Sequence, residues 1–207
     1  LEAAIRGWLD GKANYFEPIP LGGAIRGPSV AKVLTSHLPG FKAGDLIFGL
    51  HHWEDYSLSD ANTILLSKLT PEADIPLSYY AGGLGGSGHT AYVGLHEIGK
   101  IQAGDTVVIS AAAGATGSMA TQIAKLRGCK VVGIVGGDNK CQIVTDTLGA
   151  DAAINYKTCE DLTEAIHEAC PEGVDVYFDN VGGKTLDAAL SCMNTFGRII
   201  GCGMIGD

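Results

Sequence analysis

The chain reads as an α/β protein, a doubly wound parallel sheet preceded by a small, loop-rich β domain. Three observations predict this. From about Gly104 onward, short apolar strands alternate with helical periods, the pattern of a parallel sheet with helices on both faces. Before about Ile75, apolar stretches are broken by glycine or proline every few residues, the texture of a β unit rich in turns. Glycine supplies 30 of the 207 residues, about twice its usual share of roughly 7%. No Gly-X-Y period accompanies it, so the glycines serve turns and close backbone approach rather than a collagen helix.

Composition narrows the function classes. With 46% hydrophobic and 18% charged residues, the chain has too much apolar content and too little charge to be disordered, and its length corresponds to between one and two domains. A formal charge of −9 without a basic stripe argues against a nucleic-acid partner. The longest apolar runs, such as Val131 to Val135, are far too short to span a bilayer. No basic segment followed by a long apolar one opens the sequence, so a secretory signal is not read and a cytoplasmic location is expected. The six cysteines (Cys129, Cys141, Cys159, Cys170, Cys192, Cys202) include no C-x-x-C pair. They read as reduced thiols, not as a zinc ribbon or redox couple.

The elements follow in order. Apolar stretches over 29–34 and 45–49 are strands of the first part, the second entered through a turn at 41–45. No helical period is expected before about Ile75. The run Thr106-Val107-Val108-Ile109-Ser110 is β-branched and continuous, as in a parallel strand buried on both faces. A helix is expected over 116–126, from Met119, Ile123, Ala124 and Leu126, then a strand over 130–135 and a helix over 140–148. Strands over 152–155, 174–178 and 198–200 alternate with helices over 161–169 and 184–193.

One motif carries chemistry. Between the first strand of this series and its helix stands Ala112-Ala113-Gly114-Ala115-Thr116-Gly117, an A-x-G-x-x-G form of the dinucleotide fingerprint. A tight turn after a buried strand aims a helix N-terminus at a pyrophosphate, which the free N–H groups and the helix dipole favour. Gly114 lets the backbone come close to the phosphates, and Gly117 lets helix and strand pack closely. At the end of the second strand an acid would favour NAD and a cation a 2′-phosphate. Val135-Gly136-Gly137-Asp138-Asn139-Lys140 offers both, and Asp138 could equally cap the helix that follows, so spacing alone leaves the choice open.

Several phrases together resemble the zinc-independent medium-chain dehydrogenase/reductases, in their prostaglandin/leukotriene reductase and alkenal double-bond reductase branch. They are the segment 110–126, the turn 136–140, Leu148-Gly149-Ala150-Asp151 running to Asn155-Tyr156-Lys157, and Asp179-Asn180-Val181-Gly182-Gly183. Arg6-Gly7-Trp8, Pro39-Gly40-Phe41, Trp53-Glu54-Asp55-Tyr56 and Thr90-Ala91-Tyr92-Val93-Gly94-Leu95 agree. The resemblance implies a Rossmann domain over 85–207, incomplete at its C-terminus, preceded by part of a GroES-like domain over 1–84, with further chain before Leu1 and after Asp207. It also implies an open sheet edge where the chain stops. Two stretches depart from the family. Glu2-Ala3-Ala4-Ile5-Arg6 stands where D-P-Y-M-R is usual, and Gly85-Gly86-Ser87-Gly88-His89-Thr90-Ala91-Tyr92 where G-M-P-G-x-T-A-Y is usual.

The site the resemblance implies is NADP(H)-binding. Gly114, Ala115, Thr116 and Gly117 resemble the pyrophosphate turn, Lys140 and Tyr156 the pair on the 2′-phosphate, and Asn180 the cofactor-contacting asparagine. Cys202, Gly203 and Met204 resemble the segment beside the nicotinamide. Without the family, Lys140 reads as a solvated lysine, Tyr156 as a half-buried core ring and Asn180 as a turn former. The implied reaction is NADPH-dependent reduction of the carbon–carbon double bond of α,β-unsaturated ketones or aldehydes, by hydride transfer to the β-carbon. The alternatives are an NADPH quinone reductase and a non-catalytic NADP(H)-binding module. No metal site is read: His51-His52-Trp53-Glu54 lacks the ligands that a catalytic zinc needs. No catalytic residue is named, and Tyr56 and Tyr92 are expected in the core. The partners implied are a small enone, enal or quinone and, in the complete protein, a second copy.

Overall fold

The computed structural model describes residues 3–11 and 16–206. It divides into two compact units, Leu1–Gly86 and Ser87–Asp207. Glu2, which begins one of the departing stretches, lies outside the described residues.

The first unit is a three-stranded antiparallel sheet in the order β1 (Arg26–Lys32), β2 (Leu46–His52), β3 (Ser67–Leu69). The turn at 41–45 forms as expected. Gly44 takes φ +91, and the Asp45 carboxylate accepts the Lys42 N–H at 3.0 Å. A short helix, α1 (Arg6–Leu9), precedes the sheet where no helical period was expected. Four residues are too few to show a period. Its place is held instead by Trp8 and Ile5, which pack with Leu50, and by the Trp8 ring meeting Phe16 edge-on at 5.1 Å. The short helix α2 (Leu77–Ala81) closes this unit.

The second unit, entered through α3 (Gly86–Val93) and a wide helical turn at Gly94–Ile98, is a five-stranded parallel sheet. Its strands are β4 (Thr106–Ser110), β5 (Lys130–Val135), β6 (Ala152–Asn155), β7 (Val174–Asp179) and β8 (Met193–Gly201). They lie in the order β6-β5-β4-β7-β8. All five residues of β4 are buried, as its β-branched composition requires of a central strand covered on both faces. Val107, Ile109, Val131 and Phe178 face one layer with Ala120 and Ala124 of α4 (Ala115–Leu126). Val108, Val132, Ile134 and Tyr177 face the other, with Ile166 of α6 (Leu162–Ala169) and Ala188 and Ala189 of α7 (Gly183–Leu190). This is the doubly wound, Rossmann-like arrangement, and its strand order reverses between β4 and β7, the place where such sheets bind ligands.

Several elements differ from their expected limits, β1 and β2 covering Arg26–Lys32 and Leu46–His52 rather than 29–34 and 45–49. The helix expected over 140–148 is a short α5 (Asp138–Gln142) continued by wide turns over Ile143–Thr147. The helix expected over 184–193 stops at Leu190, and β8 begins at Met193 rather than at 198. The cause is tertiary: Val174 of β7 donates its N–H to the Cys192 carbonyl at 2.9 Å, which draws the chain out of the helix and into the sheet. Asn194 then donates to Asp175 at 2.8 Å, and Phe196 at φ +62 bends the strand. Among the described residues, no helix is long and apolar enough to cross a membrane.

Candidate functional site

All ten candidate residues lie in the second unit, at or just beyond the C-terminal ends of its parallel strands. Gly114 to Gly117 follow β4, Lys140 lies two residues into α5 after β5, Tyr156 follows β6, Asn180 follows β7, and Cys202 to Met204 follow β8. A parallel sheet does this by its topology, since every crossover leaves from the same edge.

The turn after β4 is shaped by what it lacks. Ala111 takes φ +48, an unusual backbone for a residue with a side chain. The Gly114 N–H donates to the Ala111 carbonyl at 2.8 Å. A Cβ on Gly117 would collide with that same carbonyl and stand 2.9 Å from the Ala112 Cα, so only glycine brings α4 this close to the strand. Ala112, in the place of the fingerprint's first glycine, is fully buried. Its room comes from β5, because a Cβ on Gly133 would lie 2.8 Å from the Ala112 Cβ. At the helix start Gly114 is the N-cap, and no side chain caps it. The N–H groups of Ala115, Thr116 and Gly117 are therefore first-turn donors without an acceptor in the helix. They present partial positive charge at the edge of the sheet.

The corner after β5 holds both charges. A Cβ on Gly136 would lie 2.7 Å from the Tyr156 hydroxyl oxygen and 2.8 Å from two of its ring carbons, so the ring rests on the glycine backbone. Tyr156 is 51% exposed, which places it on the surface of this corner rather than in the core. Asp138 does not cap α5, whose N-cap is Gly137 without a side-chain bond. Its carboxylate instead accepts from the Asn155 side-chain amide at 2.7 Å. The Lys140 side chain is exposed; among the described residues nothing pairs its ammonium.

At the other side of the strand-order reversal, one buried network joins β4, β7 and β8. The Ser110 hydroxyl accepts the Asn180 N–H at 2.8 Å and donates to Asp179 Oδ1 at 3.2 Å. The Asn180 side-chain amide donates to the Ser110 carbonyl at 2.7 Å. Asp179 Oδ1 also accepts from the Tyr177 hydroxyl and from the N–H groups of Val181 and Gly182, each at 3.0 Å. Burial pushes the Tyr177 phenol well above its ordinary range, and Asp179 adds to the rise, so Tyr177 remains a donor. The Asp179 carbonyl accepts the N–H groups of Cys202 and Gly203 at 2.8 and 3.0 Å. Burial, with the charge of Asp179, also raises the Cys202 thiol, which keeps it protonated and a poor nucleophile. Asn180, Cys202 and Gly203 are thus brought together, while Met204 projects from the edge at 73% exposure.

Ser110, Asp179 and Asn155 were not singled out from the sequence as site residues. The available signal was modest: each is a polar residue at the C-terminal end of its strand. Tyr56 and Tyr92, expected in the core, are 78% and 55% exposed, and Tyr92 lays its ring against His96 at 4.5 Å. His51 and His52 lie on opposite faces of β2, as successive strand residues must. His51 is buried with Nδ1 2.8 Å from the Ser29 hydroxyl, and His52 lies 3.4 Å from Glu54. Among the described residues, no group of three or more His, Cys, Asp or Glu side chains could hold a metal ion.

Comparison with known proteins adds relatives to this geometry. Residues 115–207 match the family model described as zinc-binding dehydrogenase, and residues 1–66 that described as the N-terminal domain of oxidoreductase. The chain is 45% identical to an NADP(+)-dependent 2-alkenal reductase of Nicotiana tabacum, over 94% of this chain and 56% of that protein. It is 45% identical to prostaglandin reductase 1 of Mus musculus, over 89% of this chain and 56% of that one. Among solved structures, CurA from Vibrio vulnificus is 41% identical with a TM-score of 0.90, covering 100% of this chain and 60% of that one. CurA in complex with NADPH is 40% identical with a TM-score of 0.88 and the same coverage. The chain therefore spans a little over half the length of these relatives.

Proposed function

Because the chain belongs to the medium-chain dehydrogenase/reductase family, in its prostaglandin and alkenal reductase branch, we propose that its second unit binds NADP(H) along the sheet edge. The protein it represents would then be an NADPH-dependent reductase of the double bond of α,β-unsaturated ketones and aldehydes. The observation that carries the reading is the pairing of an uncapped α4 start, cleared by Gly117, with an exposed Lys140, unpaired among the described residues, at the Tyr156 corner. A dinucleotide without a 2′-phosphate explains the first alone; a cation left unpaired among the described residues at the end of the second strand adds a 2′-phosphate.

The residues present fit the group. Gly114 and the N–H groups of Ala115, Thr116 and Gly117 would take the pyrophosphate. Lys140 would meet the 2′-phosphate as a point charge, with the Tyr156 hydroxyl as a neutral donor. Asn180, Cys202, Gly203 and Met204 would border the nicotinamide end, held by the Ser110–Asp179 network. When bound, the cofactor supplies the hydride that reaches the β-carbon of the substrate. The chain's own part is to bind and orient. Residues 1–84 would form the substrate-side domain, with 85–207 the dinucleotide domain. A cytoplasmic homodimer is part of the same reading, supported as to compartment by six free cysteines.

The test is NADPH oxidation by the complete protein with an aliphatic enone or alkenal, with the saturated product identified. Consumption with quinones and none with enones would make it a quinone reductase. Binding of NADPH without turnover of either class would make it a binding module.

A further inference from the structure

We infer that Asn155 sets the cofactor preference of this chain by tying the Asp138 carboxylate to the end of β6 at the 2′-phosphate corner. The inference rests on the NADP(H) reading above and deepens it. An acid at the end of the second strand of such a sheet ordinarily takes the ribose hydroxyls and favours NAD. Asp138 stands in that region, directly after Gly136 and Gly137 and two residues before Lys140. Left free, it would offer an acceptor to the 2′-hydroxyl of NADH and repel the 2′-phosphate of NADPH, against the pull of Lys140.

In the structure one of its two oxygens is engaged. Asn155, the last residue of β6, pairs in register with Val135 at the end of β5. Its side-chain oxygen accepts the Lys157 N–H at 3.1 Å, and its side-chain nitrogen donates to Asp138 Oδ1 at 2.7 Å. With the acceptor end engaged by backbone, the amide has only its NH2 to turn toward Asp138. The carboxylate is thereby tied to the β6 strand end, while nothing among the described residues pairs the Lys140 ammonium. The same loop sets Tyr156, whose N–H donates to the Val135 carbonyl at 3.0 Å. One asparagine therefore restrains the acid beside a lysine that stays available.

The experiment is a double-mutant cycle on the complete protein, with NADPH and NADH dissociation constants measured by direct titration and no turnover required. Asn155→Ala is expected to lower the preference for NADPH over NADH by about tenfold, the usual effect of a hydrogen bond to a charged group. Asp138→Ala alone, with no carboxylate left to restrain, keeps the preference at least as high as wild type. Asn155→Ala combined with Asp138→Ala returns to the Asp138→Ala level. If Asn155→Ala leaves the preference unchanged, the inference is overturned. If it weakens both dinucleotides equally and the second substitution restores nothing, Asn155 only shapes the Tyr156 loop, and the inference is again overturned. A wild-type chain that binds NADPH and NADH equally sinks the 2′-phosphate assignment and this inference with it. A chain that binds neither sinks the dinucleotide reading itself.

Discussion

The Tyr156 ring lies on the backbone of Gly136, so close that a methyl group there would come within 2.8 Å of it. The obstacle is the outer part of a half-exposed side chain, which can swing into solvent. Gly136→Ala should therefore cost less than about 1 kcal/mol of stability. It should nonetheless displace the phenol and weaken NADPH binding about tenfold. Urea unfolding together with a cofactor titration checks both halves; a large stability loss would mean the ring is fixed.

Gly117→Ala is expected to behave in the opposite way. Here the added methyl meets the Ala111 carbonyl and the Ala112 Cα, both backbone, and β4 is buried along its whole length. Nothing can move aside cheaply, so α4 must shift. A loss of at least about 1–3 kcal/mol is expected, with dinucleotide binding abolished. An unchanged thermal midpoint would disprove the close packing.

Lys140→Ala should separate the two dinucleotides. The ammonium is exposed, so its removal costs the fold little. A lost charge-assisted bond to a phosphate is worth about 1.5–3 kcal/mol, or roughly 10- to 100-fold in NADPH affinity. NADH affinity should change by less than about twofold. Equal losses for both would remove Lys140 from the 2′-phosphate.

His51 makes the first unit sensitive to acid. Burial holds its pKa below the model-peptide value of 6.5, and His52 nearby lowers it further. Its Nε2 is buried and, among the described residues, has no hydrogen-bond partner. The unfolded chain therefore takes up a proton near pH 6.5 that the folded unit refuses until lower pH. The contribution of the neutral ring is complete above 6.5 and declines as pH falls through that value toward the folded pKa. Urea midpoints measured from about pH 8 to about pH 5 should fall in wild type and flatten below 6.5 in His51→Gln. Parallel profiles would show that another group titrates.

Residues with local causes were legible in the sequence. The β-branched run of β4 and the glycine fingerprint needed nothing beyond their neighbours, and the strand–helix alternation located, to within one residue, each strand end on which the candidate residues stand. What escaped was set by contacts far along the chain. The four-residue α1 exists because Trp8 finds Leu50. The end of α7 is decided by Val174 reaching Cys192. The bond between Asp138 and Asn155 joins the first residue of α5 to a strand end 17 positions on, and no local pattern distinguishes such a carboxylate from a helix cap.

Asp179 grips two loops at once, its side chain taking the N–H groups of Val181 and Gly182 and its carbonyl those of Cys202 and Gly203. The turn after β7 and the segment leaving β8 are thus moored to a single residue. A fluctuation that frees one loosens the mooring of the other. In deuterated water these four amides should exchange as one opening unit rather than as two independent loops. Any molecule that quiets the Asn180 turn would then also slow exchange at Cys202 and Gly203, even if it touched neither.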